Sequence, residues 1–289
     1  MFRRSLIGIA AVAVALAFVS LSAASQGRAR RAHAAPSRIV SLSPTVTEDL
    51  FAIGAGPQVV AVDDQSDYPP SAPHTSLSGY TPNVEAIAAY NPDLVVVSYP
   101  GPVVGQLRKL GIQVKIEPGV DDLAHAYEEI RDLGRVTGHL AQAKQVVHGM
   151  EVQLKKIVQS VPRKDRRHLR LYHELDQTYY SATSTTFIGR IYKLFGFDDI
   201  ADAADTSHTG YPQLSAEYIL ARNPQIIVLA DTRCCGQSEK TVAARPGWST
   251  IAAVRNHRVV AVNDDIASRW GPRIVQFARA VAAIARKQG

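Results

Sequence analysis

Cysteine is nearly absent from this chain of 289 residues: there are two, and they are neighbours, Cys234 and Cys235. Consecutive Cα atoms lie about 3.8 Å apart, closer than in a usual disulfide. The pair therefore reads either as two loop thiols or as a vicinal disulfide that stiffens its loop. A metal site is the weakest reading, since no histidine is close in sequence and zinc usually needs four ligands. No nucleophile elbow, phosphate loop, dinucleotide fingerprint or zinc-protease motif occurs. The nine histidines are scattered without ligand spacing, and His173 and His208 read as polar or capped residues. These absences weigh against an enzyme and against a resident metal or cofactor. Acidic residues are missing from residues 1–35, which hold five arginines, so the formal charge of +6 leaves only +1 for the rest. With no basic stripe interleaved with aromatics, nucleic acid is not an expected partner.

The N-terminus carries Arg3 and Arg4 ahead of an uncharged, mostly apolar stretch from Ser5 to Ala24. That layout is a secretory signal, with Ala32-His33-Ala34 as a small-x-small cleavage site. The competing reading is an uncleaved anchor, because about 20 apolar residues span a bilayer. No cysteine follows the run, so a lipid-modified N-terminal cysteine is not expected. At 46% hydrophobic and 20% charged, the remainder is ordinary globular material, long enough for two domains.

The chain says one thing twice. Pro82 to Ser98 reads PNVEAIAAYNPDLVVVS, and Pro212 to Asp231 reads PQLSAEYILARNPQIIVLAD. At one fixed offset, Glu85 answers Glu217, Asn91-Pro92 answers Asn223-Pro224, and Leu94 to Val97 answers Ile226 to Leu229. Each copy predicts a short helix with an acid in its first turn. Proline then stops the helix and pushes the preceding Asn toward extended geometry. The apolar run that follows reads as a strand buried on both faces of a parallel sheet. Two distant copies imply two similar lobes.

Around these units strands and helices alternate at short spacing, the pattern of an α/β sheet. Strands are expected at 38–42, 59–62, 113–116, 169–173 and 258–262. Thr45 with Glu48 predicts a capping box and Gly54 a stop. Asp121 is expected to cap a helix running to about Leu133. Apolar residues at Leu140, Ala143, Val147, Met150, Leu154 and Ile157 step by three and four, predicting one long helix from about His139 to Ser160. Gly271-Pro272 is expected to open the last helix. The predicted organisation is a signal or anchor at 1–35, an N-terminal α/β lobe at 36–137, a linking helix at 138–161 and a C-terminal α/β lobe at 162–289.

The loops expected to face one another across the lobes carry Gln65, Tyr68, Tyr80, Tyr99, Tyr179, Tyr180, Tyr211, Arg269 and Trp270. Aromatics on loops give rigid contact area with a polar tip, the usual lining of a ligand cleft. Glu85 and Glu217 each favour a helix N-terminus by about 0.3–1 kcal/mol. The same placement in both lobes also suits a partner with two matched basic sockets.

SLSPTVTEDLFAIG, SDYPP, the two glutamate segments and GPRI resemble the helical-hinge substrate-binding proteins of ABC importers, and most closely their cobalamin-binding branch. The resemblance covers nearly all of residues 37–289. It implies two Rossmann-like α/β lobes joined by one long helix, an exported and monomeric receptor, no catalysis, and a bulky chelate held between the lobes. A corrinoid is favoured; a ferric siderophore or haem is the alternative, and an envelope enzyme acting on a bound chelate a rival of another class. The resemblance places Tyr180, Tyr211 and Arg269 at the ligand, where the loop reading adds Gln65, Tyr80, Tyr99 and Trp270, and it places Glu85 and Glu217 on arginines of a dimeric permease. The sequence departs from the pattern at Gly79-Tyr80, where a tryptophan is expected. It departs also at Gln65 in place of a tyrosine, at Ser268 in place of an acid, and at the Cys-Cys loop.

Overall fold

The computed structural model describes residues 35–287; the signal or anchor segment lies outside them. Eight strands form two parallel sheets. β1 (Ile39–Leu42), β2 (Val59–Val62), β3 (Leu94–Val97) and β4 (Gln113–Ile116) lie in the order β2-β1-β3-β4. β5 (Leu169–Glu174), β6 (Phe197–Asp199), β7 (Ile226–Leu229) and β8 (Val259–Ala261) repeat that order as β6-β5-β7-β8. The α/β class with two like lobes is thus the observed fold.

The central strands β3 and β7 are apolar throughout because both faces are covered. Their residues alternate between two cores, as a period of two requires. Leu94 and Val96 enter a core shared with Ile226, Val228 and the long helix, whereas Val95 and Val97 enter a core confined to the first lobe. Ile227 and Leu229 face the matching outer core of the second lobe. The largest core therefore runs through both lobes.

The repeat goes deeper than the two quoted segments. Arg38 and Arg170, immediately before β1 and beside the start of β5, reach the carbonyls ending the helices Val84–Ala88 and Ala216–Arg222. Arg38 Nη2 donates to Tyr90 O at 2.6 Å and its Nε to Asn91 O at 3.0 Å. Arg170 Nε donates to Arg222 O at 2.9 Å and its Nη2 to Asn223 O at 3.2 Å. The backbone amides of the same two arginines donate to Asp93 Oδ1 and Gln225 Oε1, again equivalent positions. Carbonyls at a helix C-terminus lack intrahelical partners, and a cation there also suits the dipole. Each clamp thus ties a helix end to the neighbouring strand.

The second helix stops at its Asn-Pro step, with Asn223 as the cap residue, but the first ends earlier than expected, at Ala88 with Ala89 as its cap, and neither Asn has the expected geometry. Asn91 and Asn223 are left-handed, with φ of 48° and 44°, instead of extended. Asparagine tolerates this region better than most residues, and at Asn223 it closes the helix as a cap. Asn223 Oδ1 also accepts from Ala252 N at 2.8 Å.

The long helix is Leu140–Gln159, about 30 Å at 1.5 Å per residue, and it joins the lobes. Ala143, Val147, Met150 and Leu154 form its buried stripe. It folds back on the helix Leu123–Thr137 through left-handed Gly138. The two approach so closely at Gly134 that a Cβ there would stand 2.5 Å from that of Ala143. The last helix, Ile274–Arg286, packs on the long helix and on Phe187–Leu194.

Several local expectations are corrected. Ser43, with Pro44 at the first helical position, caps Pro44–Ala52; Thr45 lies inside that helix and Glu48 is buried. Asp122, one residue on from Asp121, caps Leu123–Thr137, which continues four residues past Leu133. The last helix begins at Ile274, beyond Pro272, with Arg273 as its cap residue.

Asn223→Ala is expected to lower the unfolding free energy by about 2–3 kcal/mol, from the left-handed backbone and the lost bond to Ala252 N together. Asn223→Gly keeps the backbone freedom and should cost less. Urea denaturation of the two variants checks the order.

Candidate functional site

In each sheet the strand order reverses between the first and third strands, β1 and β3 or β5 and β7. Loops leaving the carboxyl ends of such strands diverge and open a crevice. In the first lobe those loops supply Ser43, Pro44 and Thr45 after β1, Asp63 and Gln65 after β2, and Ser98 and Tyr99 after β3. Gly79-Tyr80 adds a further wall, and Ser268, Arg269 and Trp270 close the cavity from the second lobe, at about 320 Å³. Tyr80 and Tyr99 also border an adjoining cavity of about 550 Å³ with Pro82, Pro102 and Gln106. They are 82% and 66% exposed, so their rings stand free with cavity on two sides. Large aromatics left this open on a folded surface mark a contact site.

Of the residues expected at the ligand, Gln65, Tyr80, Tyr99, Arg269 and Trp270 line one cavity. Tyr211, on the second lobe, is close enough to Asp121 and Tyr99 that these, after burial, push its phenol up to about 12. Tyr180 is half-exposed and pairs with Gln213 in an isolated antiparallel bridge. Tyr179 belongs elsewhere: its ring stacks on Trp248 at 5.6 Å and lies under Arg245. Tyr68 packs beneath Arg273, whose guanidinium carbon is 4.1 Å from the ring centre. His173 is buried, with Nδ1 2.7 Å from Tyr192 Oη, and burial pushes it down to about 3.

Arg269 is the cation lining the cleft cavity among the described residues, and both of its Nη nitrogens are already engaged. It gives hydrogen bonds to Glu48 Oε1 at 2.9 Å, Asp67 Oδ1 at 3.0 Å, Gln65 O at 3.0 Å and Asp265 Oδ1 at 2.9 Å. Three of these acceptors belong to the first lobe and one to the second. Arg273 holds the same carboxylate from Nε, at 2.8 Å from Glu48 Oε2. The guanidinium expected to meet a ligand therefore also bolts the two lobes together. Sequence spacing could not show this, because Glu48 sits on an amphipathic helix some two hundred residues away.

Trp270 is fixed from behind. Its Nε1 donates to Glu129 Oε2 at 2.9 Å and its ring meets Phe187 edge-on at 6.0 Å. Glu129 is raised to about 8 by burial first, with the Glu117 charge adding to it. Asp49, fully buried beside it, is also raised by burial and by Glu129, Glu48 and Glu117.

Glu85 and Glu217 are exposed in the first turns of their helices. A helix that precedes a parallel strand runs against it, so each N-terminus lies at the carboxyl edge of its sheet, the edge that carries the crevice. The surface hollow beside Glu85 shares Pro82 and Gln106 with the cavity bordered by Tyr80 and Tyr99. Glu217 is held below the usual carboxylate range by its own backbone amide and the Ser215 hydroxyl.

Two α/β lobes on one long helix, with exposed aromatics facing into a crevice between them, define a two-lobed solute-binding receptor. The chain belongs to the periplasmic binding protein family, whose model matches residues 39–266. It is 31% identical to a cobalamin-binding protein of Halobacterium salinarum, over 83% of this chain and 67% of that one. It is 30% identical to an uncharacterised ABC transporter substrate-binding lipoprotein of Bacillus subtilis, over 83% and 77%. Its fold is similar to the crystal structure of the periplasmic vitamin B12 binding protein of Vibrio cholerae, with a TM-score of 0.71 and 26% identity over 88% of this chain and 99% of that one.

The carboxyl of Glu129, raised on folding, favours the folded state fully below its ordinary value of 4.5 and loses that contribution as pH rises through about 8. Urea midpoints should fall between pH 5 and pH 8.5. Glu129→Gln, which keeps an acceptor for Trp270, should flatten that fall; Asp49 leaves a residue of it.

Proposed function

We propose that this protein is the exported substrate-binding component of an ABC importer and that its cleft takes a corrinoid. The relatives named above support the transport role, and Glu85 and Glu217 are then the two contacts for a permease dimer. The observation that carries the ligand reading is the committed state of Arg269. With both Nη nitrogens of that guanidinium on four protein acceptors, and the Asp63 carboxylate taken by Gln65 N and the Ser66 hydroxyl, the groups left to a guest are aromatic faces, the hydroxyls of Thr45, Ser98, Ser268, Tyr80 and Tyr99, and the Gln65 amide. Such a surface suits a bulky, uncharged, amide-edged ring system. Haem propionates or a carboxylate siderophore would need a cation and would have to pull Arg269 from its partners, leaving buried Glu48 with less than its full pairing. The ligand is held and released without chemistry, in keeping with relatives named as binding proteins.

Cyanocobalamin titration by calorimetry tests this reading. Tyr80→Ala and Tyr99→Ala should each weaken binding by about 2- to 12-fold, the ~0.5–1.5 kcal/mol of an aromatic contact. Tighter binding of haemin or a ferric siderophore would overturn the corrinoid and keep the receptor. Recovery of chemically altered ligand would favour the enzyme instead.

Reversing both Glu85 and Glu217 to lysine should leave the cyanocobalamin affinity within about twofold and abolish uptake in cells. Loss of affinity in that variant would place the two glutamates in the cleft and remove the docking role.

A further inference from the structure

Neither the fold nor the cleft accounts for the loop after β7, where Cys234 and Cys235 are joined as a disulfide, Cα to Cα 3.8 Å. The pair ends a single helical turn, Thr232–Cys235, closed by left-handed Gly236. Three successive backbone amides of that turn converge on one carboxylate, that of Asp264: Thr232 N at 3.0 Å, Arg233 N at 2.8 Å and Cys234 N at 3.0 Å. Side chains of successive helical residues diverge by about 100°. Two thiols here would point apart, so bonding them fixes the backbone of the turn and with it the direction of Arg233.

Arg233 carries the consequence. Its Nη1 donates to Asp265 Oδ2, while the other oxygen of that carboxylate takes Arg269 Nη2 at 2.9 Å. Its Nη2 lies 3.8 Å from Asp67 Oδ2, and Asp67 in turn accepts from Arg269 at 3.0 Å. Arg233 thus braces, on both sides, the acids that seat Arg269 between the lobes. Its own pull on Asp67 is weak, because Arg233 is 57% exposed. Its main effect runs through the orientation of Asp265, which is only 19% exposed.

The far end of the loop is anchored. Gln237 Oε1 accepts from Arg245 Nη2 at 2.8 Å, and Arg245 forks onto buried Glu174 with two bonds of 2.6 Å. Trp248 lies beneath the same guanidinium at 4.5 Å. A change in the disulfide is therefore passed toward Arg233 and not toward the core of the second lobe.

We propose that the Cys234–Cys235 disulfide is a redox-sensitive latch on the cleft: oxidised, it holds Arg233 against Asp265 and Asp67; reduced, it releases that brace and loosens the junction between the lobes. The reductant is a dithiol. Its thiolate attacks Sγ of exposed Cys234, the protein S–S bond breaks, and Cys235 leaves as a thiolate that takes a proton. The second thiolate of the reagent then displaces Cys234, which is protonated in turn. The reagent ends as a cyclic disulfide, and two electrons and two protons have passed to the protein.

Hydrogen–deuterium exchange of the ligand-free protein tests the latch without reference to any ligand. After dithiothreitol, with mass spectrometry showing both thiols, amides in 64–68 and 264–271 should exchange about 3- to 10-fold faster. Arg233→Ala should show the faster exchange with its disulfide intact and respond no further to dithiothreitol. Cys234→Ser/Cys235→Ser should match the reduced protein; the wild-type comparison stands even if that variant fails to fold. Complete reduction without change in 64–68, or an undiminished response in Arg233→Ala, would overturn the proposal.

Discussion

One carboxylate, that of Glu48, holds two guanidinium groups from the opposite lobe. It is almost wholly buried, and so is Arg269. Charges taken out of water at this depth are costly unless fully paired, and removing one partner costs more than the pair itself contributes. Here the pairing is complete: Glu48 takes Arg269 and Arg273, Asp265 and Asp67 supply further acceptors, and the Tyr68 ring covers Arg273. The network fixes the distance between the lobes at the point where the cleft begins. It also withdraws the cleft's cation from service to a guest, so one set of bonds sets both the width and the chemistry of the site.

Much of the fold could be read from the sequence because it is written twice. The Asn-Pro steps, the acids in the first helical turns and the four-residue apolar strands recur in register, and the two sheets have the same strand order. What stayed hidden was side chain meeting backbone. Arg38 and Arg170 look like surface charges until their carbonyl partners are placed beside them. Proline alone argues for an extended residue before it, yet Asn91 and Asn223 are both left-handed, and at Asn223 closing the helix end outweighs that preference. Ser43 displaced Thr45 as a cap because the Ser-Pro pair, with proline at the first helical position, is itself a starting signal.

The cleft was partly legible for a different reason. Tyr80, Tyr99 and Trp270 flank strand ends or short helices, and an aromatic in such a loop has little core to enter. Tyr179 shows where that reasoning fails, since a neighbouring loop supplied Trp248 and Arg245 to cover it. The carboxylates behind Trp270 gave no signal. Asp49 and Glu129 fall within helices whose other residues set the apolar pattern, and only the packing of two helices against Glu117 reveals how far burial raises them.

The single long helix from Leu140 to Gln159 shares its buried stripe with the core that runs through both lobes. A rod embedded in this way bends elastically instead of swinging. Exchanging a few rim residues would then change the chemistry of the cleft, while the separation of Glu85 and Glu217, one on each side of this rod, stays as it is.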